Sequence, residues 1–343
     1  MKGIERDIQY DIIFVTNQPA FYKVRLWNEI SKFKKVLLIF IDIMESDRNI
    51  DFVSVQPSFE YVVLPKGEVK GLCSLLCLLN KTKYRTLLIG GWDDIRLLVL
   101  PFLSSKRKNA LLCESSYYEY HSSLIKDIVK KLILKRISIV FPSGKAQGRL
   151  FSHLGFYGEY RYTGGCGLLN YIDQPSYQPR SRVCSFLFVG RLVEEKNLKL
   201  LINVFNHLPE FQLTIIGFGE QEEELKAIAK ENVSFLGAVE NKRLNAYYQQ
   251  ADVFVLPSIY EPWGLVIEEA LNNGIPVIVS DKVGCREDLV SDRTGLVFDS
   301  SSEKALYDAV IKMTDIDFYN HLRLQISYLD FKERAKQQVD IYL

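Results

Sequence analysis

The 343-residue sequence contains only six cysteines, at positions 73, 77, 113, 166, 184 and 285, with no C-x-x-C pair and no metal-ligand spacing. Most of them lie in apolar runs, the usual place for buried reduced thiols, so no disulfide framework is expected. Neither sign of charge is in excess: 43 basic residues stand against 42 acidic ones, for a net charge of +1. That balance argues against nucleic acid as the main partner, because a phosphate polymer selects a basic face. No apolar run reaches the roughly 18 residues needed to span a bilayer. With no signal-peptide pattern either, a cytoplasmic protein is expected. Low-complexity tracts and short tandem repeats are also missing. The pair Asp315-x-Asp317 falls in a helical tail far from the other motifs and is not read as a metal-binding D-x-D, so no metal site is expected.

What is present is an ordinary globular composition, 48% hydrophobic and 25% charged, long enough for two domains. Strands are predicted at 12–16, 36–41, 61–64, 86–89, 110–113 and 138–141. Helices alternate with them at 21–34, 70–80, 94–102, 121–136 and from Ser143 or Gly144 to about 155. Such alternation implies an α/β fold with a parallel sheet. The pattern breaks over 163–182, which is rich in glycine and proline and has no apolar period. It restarts with strands at 186–189, 212–216, 233–236, 253–256, 276–280 and 295–298, separated by helices. The expectation is two Rossmann-like doubly wound domains, 1–174 and 175–343, with one or two tail helices, the last of which packs back on the first domain.

Within 251–284 (ADVFVLPSIYEPWGLVIEEALNNGIPVIVSDKVG) two apolar strands flank a helix of about 265–273. Gly274 closes that helix where a left-handed residue usually sits. This is a βαβ unit, so the loop holding Glu261 lies at a strand's carboxyl end and a helix's amino end, where open α/β sheets bind ligands and free N–H groups suit phosphate. Glu269 follows eight positions after Glu261. Ordinary surface acids on a solvated helix are the plain alternative. Upstream, VGRLVEEKN (189–197) ends a strand at Gly190 and sets Arg191 and Lys196 on the same sheet edge. Two cations there can hold a diphosphate, against the alternative of surface cations at a helix start. The turn IIGFGE (215–220) has Glu222 where a dinucleotide fingerprint has its third glycine, and reads best as a tight turn. A further strand runs into a loop at 235–239 (FLGAV).

The spacing E-x7-E with P-x-G inside it, the GRLxxxKN segment, the G-x-G turn, VSDKVG at 279–284 and Gly295 together resemble family 4 retaining glycosyltransferases (glycosyl transferases group 1) over about residues 185–300. The resemblance implies the GT-B fold, with two Rossmann-like domains facing a cleft. It implies a nucleotide-diphospho-sugar donor in the second domain. Glu261 would meet the donor sugar's hydroxyls, and Arg191 and Lys196 the diphosphate beside Gly190. Trp263 would belong to the donor loop. The N–H groups of Gly264, Leu265 and Val266 would serve the phosphates, and Glu269 the ribose. Main chain at Val239 would meet the base, so UDP and GDP are not distinguished. Neither a metal nor another cofactor is implied. The family role is sugar transfer, with retention, to a glycan acceptor that is often lipid-linked, in capsule or lipopolysaccharide synthesis.

Acceptor groups would come from the first domain. Its first loop, 16–21, lacks the family's Gly-Gly, and Asn17 and Gln18 could substitute with side chains. Trp92, Glu114 and His121 stand at other strand ends, His121 either near the chemistry or as a helix cap. Residues 123–137 form a basic amphipathic helix: either a domain helix with a solvated face or a docking face for anionic membrane. Two other classes are weighed. A non-catalytic nucleotide-sugar-binding partner subunit would have lost the cation pair or the acids, and all four are present. A GT-B nucleotide-sugar epimerase would act without an acceptor.

Overall fold

The computed structural model describes residues 9–42 and 53–343. The chain divides into two compact units, one of 1–115, 120–168 and 334–343, the other of 116–119 and 169–333.

The first unit holds a seven-stranded parallel sheet. Its strands are β1 (Gln9–Thr16), β2 (Val36–Phe40), β3 (Glu60–Val63), β4 (Lys83–Gly90), β5 (Asn109–Cys113), β6 (Ile139–Pro142) and β7 (Glu159–Tyr160), in the order β3-β2-β1-β4-β5-β6-β7. Its crossover helices are α1 (Phe21–Ile30), α2 (Glu68–Lys81), α3 (Ile95–Leu103), α4 (Leu124–Leu134) and α5 (Lys145–His153). The predicted strands are all found. β4 reaches back to Lys83 because its first residues alternate exposed and half-buried, which hides them from a search for apolar runs. β7 is a two-residue edge strand with no apolar pattern to announce it. The helix predicted from 121 begins only at Leu124, because Ser123 is extended. Cys73 and Cys77 are exposed on α2, against the expectation of burial for most cysteines; the helix turns both outward, four residues apart.

The second unit holds a six-stranded parallel sheet: β8 (Ser185–Val189), β9 (Gln212–Ile216), β10 (Val233–Phe235), β11 (Val253–Leu256), β12 (Val277–Ser280) and β13 (Gly295–Phe298), ordered β10-β9-β8-β11-β12-β13. The apolar runs of β8, β11 and β12 are buried because helices cover both faces of the sheet. The helices are α6 (Leu198–Asn206), α7 (Glu222–Ile228), α8 (Asn241–Gln250), α9 (Leu265–Asn272), α10 (Arg286–Leu289), α11 (Glu303–Met313) and α12 (Ile316–Ile326). α6 shows why such helices form: Leu198, Leu201, Ile202 and Phe205 fall on one face and are all buried. Each such side chain contributes about 1.5–3 kcal/mol of transfer free energy. α13 (Phe331–Asp340) follows, and its residues from Arg334 onward group with the first unit.

All strands in a sheet run the same way, so the loops after them share one edge. The order reverses between β8 and β11 in the second unit, and between β1 and β4 in the first. Ligands of doubly wound sheets bind at the carboxyl ends beside such a reversal. Arg191 and Lys196 follow β8, and Glu261 follows β11.

Candidate functional site

The loop after β11 is fastened at several points. Ile259 N–H donates to the Glu195 carbonyl (2.9 Å), and Gly284 N–H donates to the Glu261 carbonyl (2.9 Å). Glu261 also pairs with Val283 in an isolated parallel bridge. Cys285 N–H reaches the Trp263 carbonyl (2.9 Å). The β8 loop makes a single 3₁₀ turn over Glu194–Lys196 and ends at Asn197, whose φ of +52° is the only left-handed one at a non-glycine among the described residues. Asparagine tolerates that region. Its amide repays the strain by donating to the carbonyls of Pro257 (3.3 Å) and Ser300 (3.0 Å).

These restraints set Lys196 against Glu261. The ammonium and the Glu261 Oε2 form an ion pair, with side chains only 16% and 13% exposed. Arg191 is half-buried directly after Gly190. The G-x-G turn is indeed a packing device. A Cβ on Gly217 (φ +140°) would lie 1.8 Å from the Gly190 carbonyl oxygen, and one on Gly219 would lie 2.4 Å from that of Leu192. Only glycines let the two loops touch, and Leu192 N–H donates across the contact to the Phe218 carbonyl (2.9 Å).

Gly264 precedes α9 with φ +99°, hemmed by Val283, Ile267 and Cys285. Helix geometry leaves the first-turn N–H groups of Leu265 and Val266 without intrahelical acceptors, beside the carboxyl edge of the sheet. The two adjacent glutamates of α9 part company here. Glu268 is wholly buried and accepts from Trp263 Nε1 (2.6 Å) and the Tyr171 hydroxyl (2.9 Å). Trp263 is itself 2% exposed with its one donor used, so its indole packs inward and does not face a ligand. Glu269 accepts from the Tyr248 hydroxyl (2.9 Å) and lines a small pocket with Asn241, Asn245, Asn272 and Tyr171. Burial and the charge of Glu268 push its carboxyl up to about 7, against the pull of Tyr248. Val239 lies half-buried in the loop after β10.

In the first unit, Asn17 and Asp93 meet at the sheet reversal, Nδ2 to Oδ2, 2.7 Å. Gln18 is nearly buried. Trp92 packs edge-on against Phe151, with the Lys130 ammonium 4.8 Å from its ring centroid. Glu114 is paired with Lys23 (3.1 Å). Burial works to lower the Lys23 pKa, but Glu114 more than offsets it, and the ammonium is held well above its usual range. His121 is exposed in the loop before α4. Nothing in the sequence marks Tyr248, and Asp93 and Asn197 stand there only as members of candidate stretches, without their roles. Only Asn197 carried a signal, an asparagine directly after a short polar turn. Among the described residues no group of three or more His, Cys, Asp or Glu side chains is placed to hold a metal, and no helix is long and apolar enough to cross a membrane.

Comparison with known proteins bears on this geometry. Residues 175–338 match the family Glycosyl transferases group 1. Sulfoquinovosyl transferase SQD2 of Arabidopsis thaliana is 36% identical over 139 residues, 36% of this chain and 27% of that protein. The O-antigen biosynthesis glycosyltransferase WbnH of Escherichia coli is 34% identical over 143 residues, 41% of each. The chain thus spans less than half the length of these curated relatives. Among solved structures, that of Anabaena HepE in complex with UDP superposes with a TM-score of 0.69 at 16% identity, covering 95% of this chain and 98% of that one. The family match thus falls on residues 175–338, and the two parallel-sheet units have the GT-B fold.

Proposed function

We propose that the protein transfers a sugar, with retention of configuration, from a UDP- or GDP-sugar held by the second unit to a hydroxyl of a glycan acceptor served by the first. The observation that carries this is the Lys196–Glu261 pair beside Arg191 and the open first turn of α9, at the sheet reversal. Arg191, Lys196 and the N–H groups of Gly264, Leu265 and Val266 hold the diphosphate. They stabilise the charge that grows on it as the sugar bond breaks, so they act most in the transition state. Positive side chains and a helix end do this work without a metal ion. The acceptor hydroxyl attacks from the face the diphosphate leaves, and the departing phosphate takes its proton. Glu261 positions the sugar's hydroxyls and stabilises positive charge at its ring, and no enzymic nucleophile takes part. Glu269 binds the ribose hydroxyls; a carboxylate accepts from two adjacent hydroxyls at once. Main chain near Val239 meets the base. The fold relative that binds UDP supports a nucleotide donor.

On the acceptor side the reading is a lipid-linked glycan in cell-surface polysaccharide synthesis, with Asn17, Gln18, Trp92, Glu114 and His121 as the groups nearest it. The relative named for O-antigen biosynthesis supports this, as does α4. Leu124 and Ile125 are 78% and 76% exposed there, and Ile128 and Leu132 are also exposed among lysines. An apolar ridge flanked by ammonium groups suits an anionic bilayer face.

The test is a thermal-shift screen against UDP-, GDP-, ADP- and dTDP-sugars without added metal. A ligand that binds only the folded state raises the midpoint. The expected result is a shift with one nucleotide, lost in Arg191→Ala. A shift with none of them would sink the donor assignment. A shift accompanied by conversion of the free nucleotide-sugar in the absence of acceptor would favour an epimerase.

A further inference from the structure

The segment 116–119 belongs to the second unit, although the chain on either side of it belongs to the first. It is seated by Tyr118, whose hydroxyl donates to Glu287 and whose ring lies 4.4 Å from the Arg286 guanidinium. Both partners open α10. That helix directly follows Val283, Gly284 and Cys285, the residues that hold the backbone of Glu261 and Trp263. One frame therefore fixes both the Glu261 loop and the residue after Tyr118, which is Glu119.

Glu119 is unlike the other acids of this corner. Its Oε2 accepts from Ser116 N–H (3.3 Å), while its Oε1 is buried and accepts nothing among the described residues. Glu261 has Lys196, and Glu287 has Arg286 at 3.6 Å. Among the described residues no cation pairs with Glu119. Burial, with the negative charge of Glu261 adding to it, pushes its carboxyl up to about 7, against Ser116 and Tyr260, which pull the other way. A buried acceptor without a donor is costly unless something supplies one. A sugar hydroxyl does, and a carboxyl near its titration point can both accept from and donate to it.

We propose that Glu119 binds a hydroxyl of the transferred sugar, in the same corner as Glu261. This rests on the reading of the protein as a nucleotide-sugar transferase. Glu119 joins the donor's hexosyl group and not its nucleotide. Its loss therefore weakens recognition of the nucleotide-sugar and leaves the nucleoside diphosphate alone.

The test uses the full chain with Glu119→Gln and Glu119→Ala, the better nucleotide-sugar from the screen, and the matching nucleoside diphosphate. The expected result is a KM for nucleotide-sugar raised at least fivefold in Glu119→Ala and less in the Gln variant, with diphosphate affinity unchanged in both. The limb of the wild-type kcat/KM profile near pH 7 becomes shallower in the Gln variant, where Glu269 alone still titrates. Unchanged kinetics in both variants would overturn the assignment, as would an effect on the acceptor KM alone. An equal loss of diphosphate affinity would mark Glu119 as a structural support and overturn it too. If the wild type neither binds nor turns over any nucleotide-sugar, the transferase reading falls first, and this proposal falls with it.

Discussion

Lys196 and Glu261, 65 residues apart in sequence, form an ion pair at the point where the sheet order reverses. Each is largely shielded from water, so each depends on the other. Lys196→Met is expected to lower turnover by roughly 10²–10³-fold, the usual cost of losing one preorganised charge at a developing anion. Steady-state kinetics on the nucleotide-sugar checks it. In melting experiments Lys196→Met and Glu261→Gln should cost less together than the sum of the singles, since one removes the partner the other leaves stranded. Additive losses would show that the pair is not coupled.

Glu268 and Glu269 are adjacent and should behave oppositely. Glu268→Ala strands the Trp263 and Tyr171 donors in the interior and is expected to cost about 3 kcal/mol of stability. Glu269→Ala strands one buried donor, the Tyr248 hydroxyl, so it should cost about 1–2 kcal/mol of stability and weaken nucleotide binding by about tenfold, the worth of a hydrogen-bonded charge. Urea titration and nucleotide calorimetry on the two variants separate the roles. Equal nucleotide affinity in wild type and Glu269→Ala would remove Glu269 from the site.

The raised Glu269 carboxyl makes stability depend on pH. Its folded value of about 7 exceeds the ordinary 4.5, so between those limits the folded state holds a proton the unfolded state has released. Stability from this group is present below about pH 4.5 and is lost as pH rises toward 7. Between pH 5 and pH 8 the wild-type melting temperature should therefore fall more steeply than that of Glu269→Gln. Parallel curves would contradict the shift.

Gly217→Ala should be severe. Its Cβ meets a carbonyl at 1.8 Å and its φ is +140°, so a loss of about 3 kcal/mol together with donor binding is expected. Gly237→Ala is the control: φ is +67°, but nothing lies within 4 Å, and about 1 kcal/mol should be lost. A melting comparison of the two tells backbone strain from crowding.

On α4, replacing Lys130, Lys131 and Lys135 by Glu should abolish sedimentation with anionic vesicles, and raised salt should weaken the wild type. Replacing Leu124 and Ile125 by Ser should lower binding at every salt concentration, because buried apolar area is lost. Vesicle binding unchanged by the charge reversal would exclude the lysines.

The double α/β architecture was legible because buried parallel strands are unbroken apolar runs and their helices carry a clear stripe, as in β11 and α6. The positions of Arg191, Lys196 and Glu261 followed from a single rule, that parallel strands share a carboxyl edge. The division of labour between Glu268 and Glu269 was legible only through family spacing, since neighbouring positions on a helix look alike until packing assigns them. The burial of Trp263 had no local signal either, because the acceptor that holds its indole inward is Glu268, five residues on. His121 and Glu114 had no local pattern, and tertiary contacts alone show one in solvent and the other tied to Lys23.

Asn197 holds three stretches of chain at once: its own loop through its backbone, and the carbonyls of Pro257 and Ser300 through its amide. For anyone building chimaeras between this chain and its relatives, the exchangeable part is thus not the loop after β8. A transplanted 190–197 segment brings its own asparagine but meets foreign carbonyls, and Lys196 would then miss its glutamate. The portable module is the whole carboxyl edge, from β8 through the residues after β13.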